Sequence, residues 1–457
     1  MRDLVFIGFL AALLGFGFRR PFLFVLLYAY VDIVSPQRLS YYLLNSVPVS
    51  MIAAALAFGG WLVADRKRDI VIVPRQLLMA MLLVYAGVTT LNADFPVEAA
   101  TKWAWVWKSI IWAIFLPLTL RTKLRIEAYI LFMVLAASSI IIVGGIKTAI
   151  TGGGYGAFIL MVDNNSGLYE SSTISTVAIA MIPLILWLAR HGTVFPSDWR
   201  VKLFAYNLIF ACLLIPVGTV ARTGIVCIGA LAILLLRDAK RRFVYMGLIG
   251  LAGVAAIPML PQSFTTRMDT ISTYQADESA STRLAIWAWT WEYAKDNPLG
   301  GGFDAYRQNK LTVETTSIQT DGSVQSIQTQ QVDDAGRAYH SSYFEMLGEQ
   351  GFPGLILFLL IHGAGLVRME VLRRRFRGST GGDAWLSPLA TALQNTHLIY
   401  LVGSIFIGIA YQPFVYMLIG VQIGLDTMAS RRGREAARAP FLKRKAEGVA
   451  ATAGAPV

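Results

Sequence analysis

Charge is scarce in this chain. Of its 457 residues only 15% are charged and 55% are apolar, with a mean hydropathy of +0.55. Soluble domains carry about 25% charged residues, so this composition excludes an ordinary water-soluble protein. Cysteine is nearly absent. Cys212 and Cys227 are the only two and both lie in apolar runs, which leaves neither a disulfide framework nor a cysteine-based metal site. With four histidines and no His-Glu-x-x-His, a metal site has no support, and neither metal nor cofactor is expected. The glycines of TGGGYG are followed by no Lys-Ser/Thr pair and form no phosphate loop.

What the chain has is long apolar runs. Stretches of the roughly 18 to 23 residues that span hydrocarbon as a helix recur along nearly its whole length. They fall at 4–33 (broken or paired), 47–64, 71–91, 103–120, 126–148, 171–189, 203–218, 219–236, 243–260, 353–370, 388–410 and 412–428. The fold class that follows is an all-α integral membrane protein of about 12 transmembrane helices. The first run ends in Arg19-Arg20-Pro21 without a small-residue cleavage site and reads as a retained helix.

The net charge of +12 does not indicate nucleic acid, because 25 of the 40 basic residues sit in short clusters on alternate connections. The positive-inside rule assigns that side, with the C-terminus, to the cytoplasm. The loops near 92–102, 150–170, 219–223 and 261–349 then face outward. Four regions result: a bundle at 1–260, a large outer loop with short helices at 261–349, further membrane helices at 350–429, and a basic tail at 430–457 expected to lack structure.

The outer loop carries 6 basic against 12 acidic residues. Within it, Ser281 to Ala294 holds Trp287, Trp289, Trp291 and Tyr293 and reads as an interfacial helix. Residues 312–334, rich in Thr, Gln and Ser, show no helical period and read as a mobile loop. Ser342 and Glu345 have capping-box spacing, predicting a helix start just after His340.

His340 before a helix N-terminus stays neutral more readily, so it is either a proton acceptor or an interfacial capping residue. His191, His362 and His397 read as packing or snorkelling residues. Arg222, included if the span 219–236 is to cross, is either a ligand site or snorkels to headgroups. Arg283 falls in the first turn of a helix capped by Ser279 or Ser281, where a cation is disfavoured. Asp277 or Glu278 is one anionic partner for it; a phosphate, matched by the arginine fork, is another. Asp163, Asn164 and Asn165 suit a turn or cap before the span at Ser171 and, with Tyr339, are candidates for substrate contact. Two cations and one base on one outer face suit a lipid-borne phosphate leaving group.

These residues carry a resemblance. HSSYFEMLGEQGFPG resembles the His-x-x-x-x-x-x-Leu-x-Glu-x-Gly signature of the O-antigen ligase/polymerase superfamily. TRLAIWAWTWEYAKDNPLGGGF is similar to that family's Arg-x-x-x-Trp helix followed by Asn-Pro and glycines, and TVARTG to its helix-opening arginine. The resemblance implies His340 as catalytic base and Arg222 and Arg283 as ligands of an undecaprenyl diphosphate-linked glycan donor. It further implies inverting, metal-independent glycosyl transfer at the periplasmic face of a bacterial inner membrane, with lipid A core oligosaccharide as acceptor. A polymerase or a protein O-oligosaccharyltransferase of the same superfamily is the alternative acceptor class. A lipid-linked oligosaccharide flippase is the alternative of another kind, although inverted repeats and midplane polar sites are not evident.

Overall fold

The computed structural model describes residues 2–453 except 41, 66, 68–69, 156–166, 238–240, 257–277 and 322–323. Apolar runs become helices here because hydrocarbon leaves a backbone no partner but itself. The helices are α1 (Arg2–Arg19), α2 (Phe22–Val34), α3 (Pro36–Leu39), α4 (Val49–Ala64), α5 (Pro74–Leu91), α6 (Pro96–Thr119), α7 (Lys123–Thr151) and α8 (Ser171–His191). They continue with α9 (Trp199–Gly218), α10 (Arg222–Leu236), α11 (Arg242–Ala256), α12 (Glu278–Asp296), α13 (Ser342–Arg375), α14 (Leu386–Gly403) and α15 (Pro413–Ala453). Pro21 separates α1 from α2, and Pro74 and Pro96 open α5 and α6, where a missing N–H costs nothing.

A helix lies over each of the twelve apolar stretches. Among the described residues, five helices are long and apolar enough by length and composition to cross a membrane: α5, α7, α8, α9 and α13. The helices α2, α4 and α10 are apolar but shorter, at 13, 16 and 15 residues. The centre of the bundle is α8, which packs on α7, α9, α10 and α14. Small residues permit that closeness. A Cβ on Gly224 would lie 2.5 Å from Pro216 Cγ, and one on Gly403 would lie 2.4 Å from Thr176 Cγ2.

Three expectations are corrected. Residues 312–334 are not a structureless loop: β1 (Lys310–Asp321) and β2 (Val324–Ala335) pair antiparallel, with Val313 opposite Val332 and Ile318 opposite Ile327. Apart from this hairpin the described elements are helices. Repeated Thr, Val and Ile favour a pleated strand even where hydrophobicity is low. The second correction concerns the tail, expected to lack structure, which continues α15 to Ala453; its alanine-rich composition has high helix propensity.

Third, Ser342 and Glu345 form no capping box. The N-cap of α13 is Ser341, without a side-chain cap. The Ser342 hydroxyl instead donates to Ile407 O (2.9 Å), and Lys102 captures the Glu345 carboxylate (2.7 Å).

Inside α13 the helix breaks at Gly351 (φ +62°), where a Cβ would lie 2.2 Å from Pro298 O. Gly351→Ala is expected to cost at least 1–2 kcal/mol through the left-handed backbone alone, about the penalty for such a conformation. A lower thermal midpoint in detergent checks this; an unchanged midpoint rejects it.

Candidate functional site

The N-terminal end of α13, which follows His340, is clamped from two sides. Ser342 N donates to Ser404 O (2.8 Å), Ile409 N to the Ser342 hydroxyl (2.9 Å) and Ala410 N to Glu345 (3.0 Å), so residues 404–410 fix its first turn. From the other side comes α12. The Trp287 ring stacks on Phe344 (5.0 Å, 7° between planes), and its Nε1 donates to Tyr339 O at 2.9 Å.

That bond gives the Arg-x-x-x-Trp spacing a meaning. Residues four apart share a helix face, so anchoring Trp287 to the carbonyl next to His340 brings Arg283 to the same place. Arg283 is half-buried. Its closeness is felt by the histidine. His340 keeps an exposed face, yet desolvation by surrounding protein, then the Arg283 guanidinium, then Arg337, hold its pKa below the ordinary 6.5, against an opposing pull from Glu170. The imidazole is thus kept neutral and able to accept a proton near neutral pH.

His340 also has φ +48°, unusual for a residue other than glycine. A second left-handed residue, Val220 (φ +54°), sits in the turn that opens α10. For a β-branched residue this conformation is costly, and such strain clusters at sites where the surroundings enforce it. The turn is held by Ala221 N to Pro216 O (3.0 Å) and by the Thr219 and Ser175 hydroxyls (3.0 Å apart). Arg222 is the first residue of α10 and is half-buried. It therefore opens a 15-residue apolar helix. One turn N-terminal of Ser175, the Glu170 carboxylate caps α8, accepting from Ser172 N (3.0 Å) and the Thr173 hydroxyl (2.6 Å). Glu170 at the N-terminal end of α8 and Arg283 both act on His340, and the turn before Arg222 meets α8 at Ser175.

Other expected site residues fare differently. Asp163, Asn164, Asn165 and Asp277 lie outside the described residues. Tyr339 is buried: it is 3% exposed, its ring lies edge-on to Tyr306, and its hydroxyl fills the space that a Cβ on Gly348 would take (2.3 Å). Arg283 is not in a first turn either, because α12 is already helical at Glu278; the macrodipole misfit inferred for it is correspondingly smaller. His362 and His397 do more than pack: they are fully enclosed and 2.6 Å apart, Nδ1 to Nε2.

Sequence reasoning missed Lys102, Glu170 and Arg337. The Lys102 ammonium reaches Glu345 (2.7 Å), Glu349 (2.7 Å) and Asp304 (3.9 Å), over the rings of Phe303 and Tyr411. Glu349 also accepts from Asp304 N (3.0 Å), tying the glycine-rich loop after α12 to α13 and α6. The i, i+4 spacing of Glu345 and Glu349 on an otherwise apolar helix was the available signal for a cation. Arg337 is set by Asn309, whose side chain accepts from Arg337 N (3.0 Å) and donates to its carbonyl (2.7 Å).

Two family models match the chain. Residues 207–359 match a family described as O-Antigen ligase, and residues 1–193 match the family of unknown function DUF5935. No curated protein matches the chain. Arg222, Arg283 and His340 fall within the first match, Lys102 within the second.

Proposed function

We propose that this chain, whose residues 207–359 match a family described as O-Antigen ligase, is an inverting, metal-independent glycosyltransferase of the bacterial inner membrane. It moves O-antigen glycan from undecaprenyl diphosphate to lipid A core oligosaccharide at the periplasmic face, with the C-terminus in the cytoplasm. In this reading an acceptor hydroxyl approaches sugar C1 from the face opposite the diphosphate. Its oxygen bonds to C1 as the C1–O bond to the diphosphate breaks. His340 takes the hydroxyl proton, and Arg222 and Arg283 neutralise the charge that collects on the departing diphosphate. Arg337, beside the same imidazole, adds to that positive field.

The observation that most supports the reading is the Trp287–Tyr339 hydrogen bond, since it couples a phosphate-matching guanidinium to a neutral imidazole. The preference for lipid A core rests on the modest size of the loop at 261–349. The test is to give purified protein the lipid-linked glycan, with chelator and without ATP, together with lipid A core, a second lipid-linked repeat or a Ser/Thr peptide in separate reactions. Glycan on lipid A core supports the ligase; glycan on either other acceptor reassigns the subfamily. Donor that only changes leaflet makes the protein a carrier and ends the reading.

Arg283 offers a sharper check. Arg283→Lys keeps the charge but loses the two-point fork, and transfer is expected to fall by about 100-fold, the scale of removing one oxyanion donor. Arg283→Gln also removes a charge that lowers the His340 pKa, so that pKa rises toward 6.5. Because the base works only when neutral, the acid limb of the residual kcat/KM profile moves to higher pH. An unmoved limb in Arg283→Gln rejects the coupling of the two residues.

A further inference from the structure

The end of the bundle opposite His340 holds a cavity that the proposed transfer does not use. Ser342, beside His340, and Arg368, on the cavity wall, are both in α13 and are separated by roughly 35–40 Å along it at 1.5 Å per residue. The cavity measures about 450 Å³, a size typical of small-ligand sites, and lies between α5, α6, α13 and α15.

Its walls are of two kinds. Arg75, Arg121, Arg368, Arg431 and Arg434 supply five guanidinium groups and Asp426 one carboxylate. Val71, Pro117, Leu118 and Ile423 supply an apolar flank. Asp426 is already engaged, accepting from Arg368 Nε (2.9 Å) and Nη2 (2.7 Å).

Arg75 forms the floor and is 6% exposed. Its Nε donates to Ile361 O and its Nη2 to Gln422 Oε1, both at 2.8 Å. These two neutral acceptors orient the guanidinium without balancing its charge, and Nη1 has no acceptor among the described residues. Gly365 makes room for it, since a Cβ there would lie 2.0 Å from Nη2. A buried cation so exactingly seated, with its only nearby carboxylate committed elsewhere, is costly unless an anion joins it.

We infer that this cavity binds a phosphate group, carried by an anionic phospholipid of the leaflet at the basic end of the protein. Guanidinium forks match phosphate oxygens in pairs. The apolar flank accommodates the glycerol and first acyl carbons, a combination that free phosphate leaves unused. A zwitterionic headgroup brings its own cation against the arginines and is disfavoured.

The full-length protein, delipidated in neutral detergent, is titrated with phosphatidylglycerol, phosphatidylcholine and inorganic phosphate, with bound lipid read by native mass spectrometry and stability by the thermal midpoint. Phosphatidylglycerol is expected to bind and raise the midpoint, phosphatidylcholine to do neither, and affinity to drop roughly tenfold or more in Arg75→Gln, a loss of one charge-assisted pair. Arg121→Gln combined with Arg431→Gln alters the rim without touching the floor and is the variant that counts if Arg75→Gln fails to fold; it too should bind more weakly. Inorganic phosphate reproducing the whole midpoint shift would keep the phosphate site and reassign its source. Equal binding of both lipids, or unchanged phosphatidylglycerol binding in the rim variant, overturns the inference.

Discussion

His340→Ala is expected to lower glycan transfer by about 100- to 10,000-fold, the usual contribution of a positioned general base, while leaving donor binding near wild type. The separation follows from where the residue sits. The residues that hold the N-terminal end of α13 are Ser342, Glu345 and the 404–410 segment, and the bond from Trp287 goes to the Tyr339 carbonyl. None of these needs the imidazole. Removing the ring also removes nothing that binds an anion, because Arg222, Arg283 and Arg337 remain. Alanine at φ +48° keeps some backbone strain, so His340→Gln is the companion variant: similar in size, no stronger as a base. Turnover by both variants at the wild-type rate would reject the base assignment. Loss of donor binding along with turnover would turn His340 into a binding residue.

Lys102→Met is expected to destabilise the protein by about 3–5 kcal/mol, the cost of breaking a buried ion pair from one side. Glu349 is 0% exposed and Glu345 8%, and both turn a carboxylate oxygen to the same ammonium within 2.7 Å. Removing the ammonium leaves two buried carboxylates facing each other. Adding Glu349→Gln to Lys102→Met should recover part of the loss, which a mere packing defect at Lys102 would not allow. The thermal midpoint in detergent and the yield of folded protein measure both effects. A single variant as stable as wild type would show the cluster to be dispensable. Transfer should fall with stability, because Glu349 joins the loop around Asp304 to the helix that carries the signature.

How much of this was legible beforehand depended on the kind of signal. Helix positions followed from apolar runs because a membrane-length helix is a local, composition-driven feature. The motif residues were legible through their spacing. The hairpin at 310–335 was not, since strand pairing needs a partner and a polar, β-branched segment carries no apolar period to reveal it. Tyr339 looked available beside His340, yet its ring turns inward against Gly348, a direction that no neighbour in sequence specifies.

The amino-acid order by itself determined that the chain belongs among helices in lipid, where the basic clusters fall, and that His340, Arg222 and Arg283 stand out. It did so because hydrophobicity, charge and helix spacing act over a few residues. Only the tertiary structure decided that Trp287 joins α12 to the carbonyl before His340, that Lys102 neutralises two glutamates about 240 positions away, and that arginines from α5, the α6–α7 connection, α13 and α15 share one cavity. Those outcomes depend on which helices pack together, and contacts between residues dozens to hundreds of positions apart leave no imprint on the local pattern of either partner.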